Sequence, residues 1–231
     1  MNLVLTGATK GIGRAIAEAF AAKAATLFVC SRNYDELKVL KATLEQQGAT
    51  VFIKKVDVSK RKQVLAFADF IAKHTPTIDI LVNNAGLFQV GSLREEPDGL
   101  LEQLMDTNVY SAYYLTRALI PLMLKSDKGH IFNMCSVASI KAFPTASAYC
   151  ISKFAMLGFS KILREELKEQ GIKVTALLPG ATWSNSWKGV PYPEERLMQA
   201  KDIADMVWSI YQLGDAAVVE EIVIRPQLGD L

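Results

Sequence analysis

Long hydrophobic runs are missing from this 231-residue chain, and no apolar stretch approaches the ~20 residues that would cross a bilayer. Cysteine is scarce too. The three present, Cys30, Cys135 and Cys150, are odd in number, lack CxxC spacing and lie in or beside apolar segments. That argues against a disulfide framework and fits buried thiols in a reducing cytoplasm. His74 and His130 have no Cys, Asp or Glu arranged around them as ligands, so no metal site is expected, only a surface histidine and a strand-flank one. Charge of one sign is not concentrated: 26 basic and 24 acidic residues leave +2, with no basic run to track a phosphate backbone. Nucleic acid is therefore not an expected partner. The chain opens directly into Asn2-Leu3-Val4-Leu5, without a charged leader, and a soluble cytoplasmic protein is expected.

With 50% hydrophobic residues the chain can bury a sizeable core. Short apolar runs alternate with helix-period stretches throughout. The predicted strands are Leu3–Thr6, Thr26–Cys30, Val51–Val56, Ile78–Asn83, Gly129–Cys135, Lys173–Leu178 and Val218–Ile224. The predicted helices are Ile12–Ala24, Tyr34–Gln47, Lys60–His74, Asp98–Lys125, Ala148–Gln170 and Lys201–Leu213. This pattern predicts an α/β fold: one doubly wound, Rossmann-type parallel sheet of seven strands with helices on both faces. No linker or repeat divides it, so a single domain, 1–231, is expected. The stretch 182–198 breaks the rhythm after a strand end and is expected to act as a substrate lid.

The first strand runs into Gly7-Ala8-Thr9-Lys10-Gly11-Ile12-Gly13 and then a helix. Gly7 permits a tight turn, Gly11 lets backbone approach a pyrophosphate, and Gly13 lets helix pack close to strand. The helix N-terminus offers free N–H groups to phosphates. After the second strand the chain reads Cys30-Ser31-Arg32-Asn33, with an arginine and no acid in reach. An acid there would bond the ribose hydroxyls of NAD, whereas Arg32 with Lys10 favours the 2′-phosphate of NADP(H). Asp57-Val58 follows the third strand and could bond adenine, or Asp57 could cap a helix. Asn83-Asn84-Ala85-Gly86 follows the fourth. Its small residues let backbone lie against a cofactor, and its asparagines could pin neighbouring strand ends; a plain turn is the alternative.

Tyr149 and Lys153 are four apart near a predicted helix start and share a face. A tyrosine of pKa about 10 moves protons slowly at neutral pH; a nearby ammonium and a positively charged nicotinamide would lower that value. Ser136, thirteen residues earlier at a strand end, could hold a carbonyl oxygen beside the phenol. Singly, each has a plain structural reading.

Together, Thr6-Gly7-x-x-x-Gly11-x-Gly13, Asn83-Asn84-Ala85-Gly86, Asn108, Ser136, Tyr149-x-x-x-Lys153 and Pro179-Gly180 stand in one order. In this the chain resembles the short-chain dehydrogenase/reductase family over essentially its full length. The resemblance implies an NADP(H)-dependent carbonyl reductase or alcohol dehydrogenase with Tyr149 as general acid or base. Ser136 would polarise the carbonyl, Lys153 would act on Tyr149 and the nicotinamide ribose, and Asn108 would hold a water in a proton relay to Lys153. Thr9, Lys10 and Ile12 in the turn, then Ser31, Arg32, Asp57, Val58, Asn84, Ala85 and Gly86, would face the cofactor. So would Pro179, Gly180, Thr182 and Ser184, the last standing where family members often have Thr. The ending Val219 to Leu231 lacks the Gly-Gly segment of many fatty-acid-type reductases, which counts against 3-oxoacyl carrier-protein reduction. That tail and Lys141-Ala142-Phe143 look more like bacterial sepiapterin-reductase-like members, without fixing pterin as substrate.

Two functions remain open on these residues. One is catalysis on a small-molecule carbonyl or alcohol. The other is a dinucleotide-sensing or scaffold protein that kept the fold without the chemistry, whose expected mark is loss of Tyr149 or Lys153. Trp183, Trp187, Phe143, Phe88 and Tyr192 are candidates for an apolar pocket wall. A homodimer or homotetramer is expected through the two long helices, with Phe154, Leu157, Leu163, Tyr110, Tyr113 and Leu119 at the interface or in the core.

Overall fold

The protein is described from a computed structural model covering residues 1–183 and 193–230. Seven strands form one parallel sheet: β1 (Asn2–Thr6), β2 (Thr26–Ser31), β3 (Thr50–Lys55), β4 (Ile80–Asn83), β5 (His130–Met134), β6 (Lys173–Pro179) and β7 (Glu221–Ile224). Their order is β3-β2-β1-β4-β5-β6-β7. The chain winds outward from β1 in both directions, so the sheet has its switch point between β1 and β4, where a crevice opens at the strands' C-terminal ends.

The sheet is apolar on both sides because each side is covered. Leu3, Leu5, Leu27 and Val29 face a layer made by α1 (Gly11–Ala21), α2 (Tyr34–Gln46) and α7 (Ala200–Tyr211). Val4, Phe28 and Cys30 face the opposite layer of α3 (Arg61–Ala72), α5 (Ser111–Met123) and α6 (Ser147–Leu167). Alternate residues of one strand thus feed two cores, which explains why the strands read as continuous apolar runs. Phe20 of α1 is fully buried and meets Trp208 edge-on at 5.4 Å; truncating such a ring to alanine costs about 3–5 kcal/mol.

Most predicted elements differ from the observed ones by a residue or two at their ends, as fraying ends do. Val218–Ile224 shortens to β7, and the end of Ala148–Gln170 tightens into a 3₁₀ turn over Lys168–Gln170. Asp98–Lys125 is not one helix. It is α4 (Leu100–Met105), a π turn (Asp106–Tyr110) and then α5.

Three hydrogen bonds among four buried polar side chains tie the site-bearing ends of β4 and β5 to the helices behind. Asn83 Nδ2 donates to Thr116 Oγ1 (2.9 Å) and Asn133 Oδ1 (2.8 Å), and Asn133 Nδ2 donates to Ser160 Oγ (2.9 Å). A buried chain of this kind favours one arrangement of its elements, because breaking any link leaves a further desolvated polar group beside Asn83 Oδ1, which already lacks a partner among the described residues.

Candidate active site and cofactor cleft

Six strand ends open on one cleft of about 1060 Å³. Following β1, the backbone turns through Gly7, at φ 68°, and Gly11, at φ 51°. A Cβ on Gly13 would stand 2.2 Å from the Gly7 carbonyl oxygen and 2.4 Å from Asn84 Nδ2, so only glycine lets α1 pack this close. No side chain caps α1: the N–H groups of Gly11, Ile12 and Gly13 lack helical partners and face no side-chain acceptor. That uncapped terminus, with its positive dipole end, fits an anionic diphosphate. Thr9, Lys10, Ile12, Ser31, Arg32, Asp57 and Val58 line the same end of the cleft.

Asp57 does not cap α3, whose N-cap is Lys60; its Oδ1 instead accepts from Ser59 N (3.1 Å) and Ser59 Oγ (2.8 Å). Asn84 Nδ2 donates to the carbonyl oxygens of Thr6 (2.9 Å) and Gly7 (3.1 Å), so it pins the neighbouring strand end as its position suggests. Thr6, which opens the glycine motif but had no role assigned from sequence, accepts from the N–H groups of Asn84 (3.1 Å) and Ala85 (2.9 Å) through its hydroxyl. Ala85 and Gly86 border the cleft beside it, and Pro179, Gly180 and Thr182 close it from β6.

One expectation is corrected here. The second strand end does have an acid in reach: Glu36, in the first turn of α2, places Oε1 2.8 Å from Lys10 Nζ. The helical turn after Asn33 folds a residue four positions beyond Arg32 back toward the glycine turn, a contact that strand-end spacing does not reveal.

Ser136, Tyr149 and Lys153 all border the cleft. Lys153 is buried and donates to the Met134 carbonyl oxygen at 2.8 Å, with its ammonium 5.7 Å from the Tyr149 ring centre. Burial lowers Lys153 to about 8, because an ammonium loses its hydration there. Burial likewise pushes the Tyr149 phenol up to about 12, with the Ser136 hydroxyl pulling the other way. The expected lowering of the phenol joins the ammonium to a positively charged nicotinamide, and the value above belongs to the protein alone. The bond to the Met134 carbonyl oxygen uses one of the three ammonium donors.

Asn108 is buried behind the cleft and does not line it. Its Oδ1 accepts from Leu87 N (2.7 Å), and its Nδ2 donates to Leu87 O (3.0 Å) and Ser152 Oγ (2.9 Å). The π turn widens the helix at Asn108 and so brings this amide against an extended segment, which helical periodicity alone does not foretell.

Around Tyr149 the wall is apolar on one side and charged on the other. Phe88 meets the Tyr149 ring edge-on at 4.8 Å, and Phe143 also borders the cleft. Trp183 lies outside the lining, while Ser184, Trp187 and Tyr192 fall outside the described residues. The predicted lid is described only at its ends, where Thr182 bridges to Met198 and Trp183 N donates to Met198 O at 2.8 Å. Asp230 was not foreseen. It borders the cleft, accepts from Lys141 Nζ at 3.1 Å and lies 3.6 Å from Arg225 Nη1. Its Oδ1 is buried without a hydrogen-bond partner among the described residues.

The comparisons with known proteins agree with this geometry. The family model described as short chain dehydrogenase matches residues 2–193. The chain belongs to the short-chain dehydrogenase family. Within this oxidoreductase family it is 35% identical to the sepiapterin reductase of Chlorobaculum tepidum, over 99% of this chain and 97% of that protein. Among solved structures it resembles an alcohol dehydrogenase of the archaeon Thermococcus sibiricus complexed with 5-hydroxy-NADP (TM-score 0.91, 26% identity, 100% of this chain and 98% of that one). It also resembles L-sorbose reductase of Gluconobacter frateurii complexed with NADPH and L-sorbose (TM-score 0.90, 25% identity, 97% of this chain and 95% of that one). Among the described residues no helix is long and apolar enough to cross a membrane.

Proposed function

We propose that this short-chain dehydrogenase is an NADP(H)-dependent carbonyl reductase, or alcohol dehydrogenase in reverse, with Tyr149 moving the proton. The observation that carries the reading is the opening of Ser136, Tyr149 and Lys153 onto the same cleft as the uncapped glycine turn. NADP(H), when bound, supplies or takes up the hydride. The phenol is protonated across neutral pH, which suits donation to a developing alkoxide. The Ser136 hydroxyl orients and polarises the carbonyl oxygen beside it. Lys153 keeps a positive charge under the phenol and is placed to hold ribose hydroxyls. The Asn108 side chain is engaged at both ends, so its part is to hold Leu87 and Ser152 in place. The cofactor end is assigned to Lys10 and Arg32 with the glycine turn, and NADP(H)-bound neighbours support that form. The segment 182–198 is assigned to the substrate side as a lid on one domain spanning 1–231.

Within that reaction we favour a carbonyl compound with a planar, N–H-bearing head. The free oxygen of Asp230 is a buried acceptor on the charged side of the wall, and a pterin, the substrate type named in the Chlorobaculum relative, carries N–H donors for it. Assembly into a homo-oligomer is also proposed. Leu119, Leu163 and Leu157 are core residues, but Tyr110, Tyr113 and Phe154 are exposed with Ile151 and Ile162 on α5, α6 and the π turn.

The test is NADPH oxidation with a panel of aldehydes, diketones, pterins and acyl thioesters, run alongside Tyr149→Phe. Turnover that drops at least 100-fold in the variant, with NADPH binding kept, supports the mechanism. Undiminished reduction by Tyr149→Phe, or no turnover of any carbonyl by the parent protein, returns the chain to the sensor or scaffold reading.

A further inference from the structure

Two cations at the adenosine end of the cleft, Lys10 and Arg32, would by themselves give a strongly phosphate-selective site. The structure adds an acid to them. Glu36 Oε1 lies 2.8 Å from Lys10 Nζ. Lys10 is the residue between the glycine turn and α1, and Glu36 is the third residue of α2, after the N-cap Asn33.

Several features hold this carboxylate where it is and keep it charged. Asn33 Oδ1 accepts from Asp35 N (3.0 Å) and Glu36 N (3.2 Å), which fixes the first turn of α2. An anion in a helix's first turn is favoured by the helix dipole. The Lys10 ammonium, with the side chains of Thr9 and Asn33 behind it, holds the Glu36 carboxyl below its ordinary range. Thr9 Oγ1 and Ser31 Oγ, 3.1 Å apart, bridge the glycine turn to the end of β2 beside it. Lys10 and Glu36 are both partly exposed, with side-chain exposures of 56% and 32%, so a phosphate can reach the ammonium.

An ammonium paired with a carboxylate binds a phosphate dianion less well than a free one. The phosphate must either displace Glu36 from Lys10 or share the ammonium with it, and in both cases two anions are brought together. NAD(H), which has a hydroxyl in place of the 2′-phosphate, pays no such penalty. We propose that Glu36 is a specificity-determining residue of the cofactor site, a built-in counter-anion to Lys10 with which the 2′-phosphate of NADP(H) competes. The chain therefore binds NADP(H) less tightly, and rejects NAD(H) less strictly, than its two cations alone would dictate. The inference rests on the NADP(H) reading given above.

The experiment is equilibrium binding to the intact protein, without turnover. The probes are NADPH, NADH, 2′,5′-ADP and 5′-AMP, followed by calorimetry or nucleotide fluorescence. Glu36→Gln keeps the side chain's size and removes the charge. It is expected to tighten NADPH and 2′,5′-ADP about three- to tenfold, the scale of one partly exposed ion pair, while NADH and 5′-AMP move less than about twofold. In a Lys10→Met background the same substitution is expected to have no effect on 2′,5′-ADP, because the competition is for that ammonium. Unchanged or weakened 2′,5′-ADP binding by Glu36→Gln overturns the proposal, since a weakening would mean that Glu36 aims Lys10 at the phosphate. Failure of the underlying reading looks different. If neither Lys10→Met nor Arg32→Met weakens 2′,5′-ADP, the phosphate does not sit between these cations and both claims fall. If both weaken it while Glu36→Gln does nothing, only the competition is lost.

Discussion

The Asn108 side chain donates from Nδ2 to Ser152 Oγ across 2.9 Å, and the Ser152 hydroxyl in turn donates to the Tyr149 carbonyl oxygen at 2.7 Å. A residue of the π turn is thereby coupled through one hydroxyl to the first two turns of α6, which bear Tyr149 and Lys153. Ser152→Ala breaks the coupling without touching either reactive group. It should cost about 1–2 kcal/mol of stability, because the amide loses one buried acceptor. kcat should fall about tenfold with KM for NADPH little changed. Thr at 152 should restore part of the loss. Steady-state kinetics beside urea unfolding checks both, and a kcat equal to that of the parent protein would mean the hydroxyl only packs.

Gly13 and Gly158 should respond to alanine with opposite signs. At Gly13 the new methyl collides with the Gly7 carbonyl and Asn84, and α1 must move away from the turn. A loss of about 3 kcal/mol and of more than tenfold in NADPH affinity is expected. At Gly158, inside α6, nothing stands within 4 Å of the added carbon. There alanine should raise stability by about 0.5–1 kcal/mol through helix propensity. Thermal melts of the two variants read the difference directly.

His130 gives the fold an acid limit. It is buried in β5, stacked on Phe132 at 4.0 Å, with Nε2 2.8 Å from Thr175 Oγ1. Burial, with the charges of Lys173 and Lys128 adding, lowers its pKa to about 3 from 6.5. The folded state thus resists a proton that the unfolded chain accepts below pH 6.5. Stability from this group is complete above pH 6.5 and is lost as the pH falls toward 3, on the order of 3 kcal/mol by pH 4. Denaturant midpoints at pH 7 and pH 4 should separate for the parent protein and separate less for His130→Phe. Equal slopes in the two proteins would assign acid sensitivity to other groups.

Lys153 should set an alkaline limb on catalysis. Its pKa, lowered to about 8 by burial, means that the positive charge beneath Tyr149 is lost above that pH. The kcat/KM for carbonyl reduction, which reports the free enzyme, should decline above about pH 8 while the phenol stays protonated. A profile flat to pH 10 would show that Lys153 remains charged.

Asp230→Asn should separate substrates by their head groups. Compounds that present N–H donors to the carboxylate should lose about tenfold or more in kcat/KM, while a simple aromatic aldehyde should change little. Equal losses on both would make Asp230 a structural clamp for Lys141 and Arg225.

What the sequence disclosed was local. Strand, turn and helix from Leu3 to Gly13 can be read because turn glycines and periodicity lie within a few residues of one another. Ser136, Tyr149 and Lys153 sit at strand and helix ends whose positions the same patterns define. Asn108 was legible as a residue but not in its setting, since its backbone partner, Leu87, lies twenty-one positions away. Glu36 was overlooked because a helical turn carries it back to Lys10, and Asp230 because the tail returns across the cleft to Lys141, eighty-nine positions away. In each case the missing information was a polar contact between residues far apart in the chain.

The turn at Asp106–Tyr110 has a consequence for chain length. A π turn takes up one residue more than an α-helix of the same rise, so α4 and α5 are out of phase by about 100°. Deleting one residue there would close the turn into plain α-helix: α5 would keep its place, and the widening that sets Asn108 against Leu87 would be lost. This stretch is therefore guarded by its count of residues as much as by their identity. A change of letter at Thr107 or Val109 is a local matter, whereas a change of length removes the turn itself and with it the setting of Asn108.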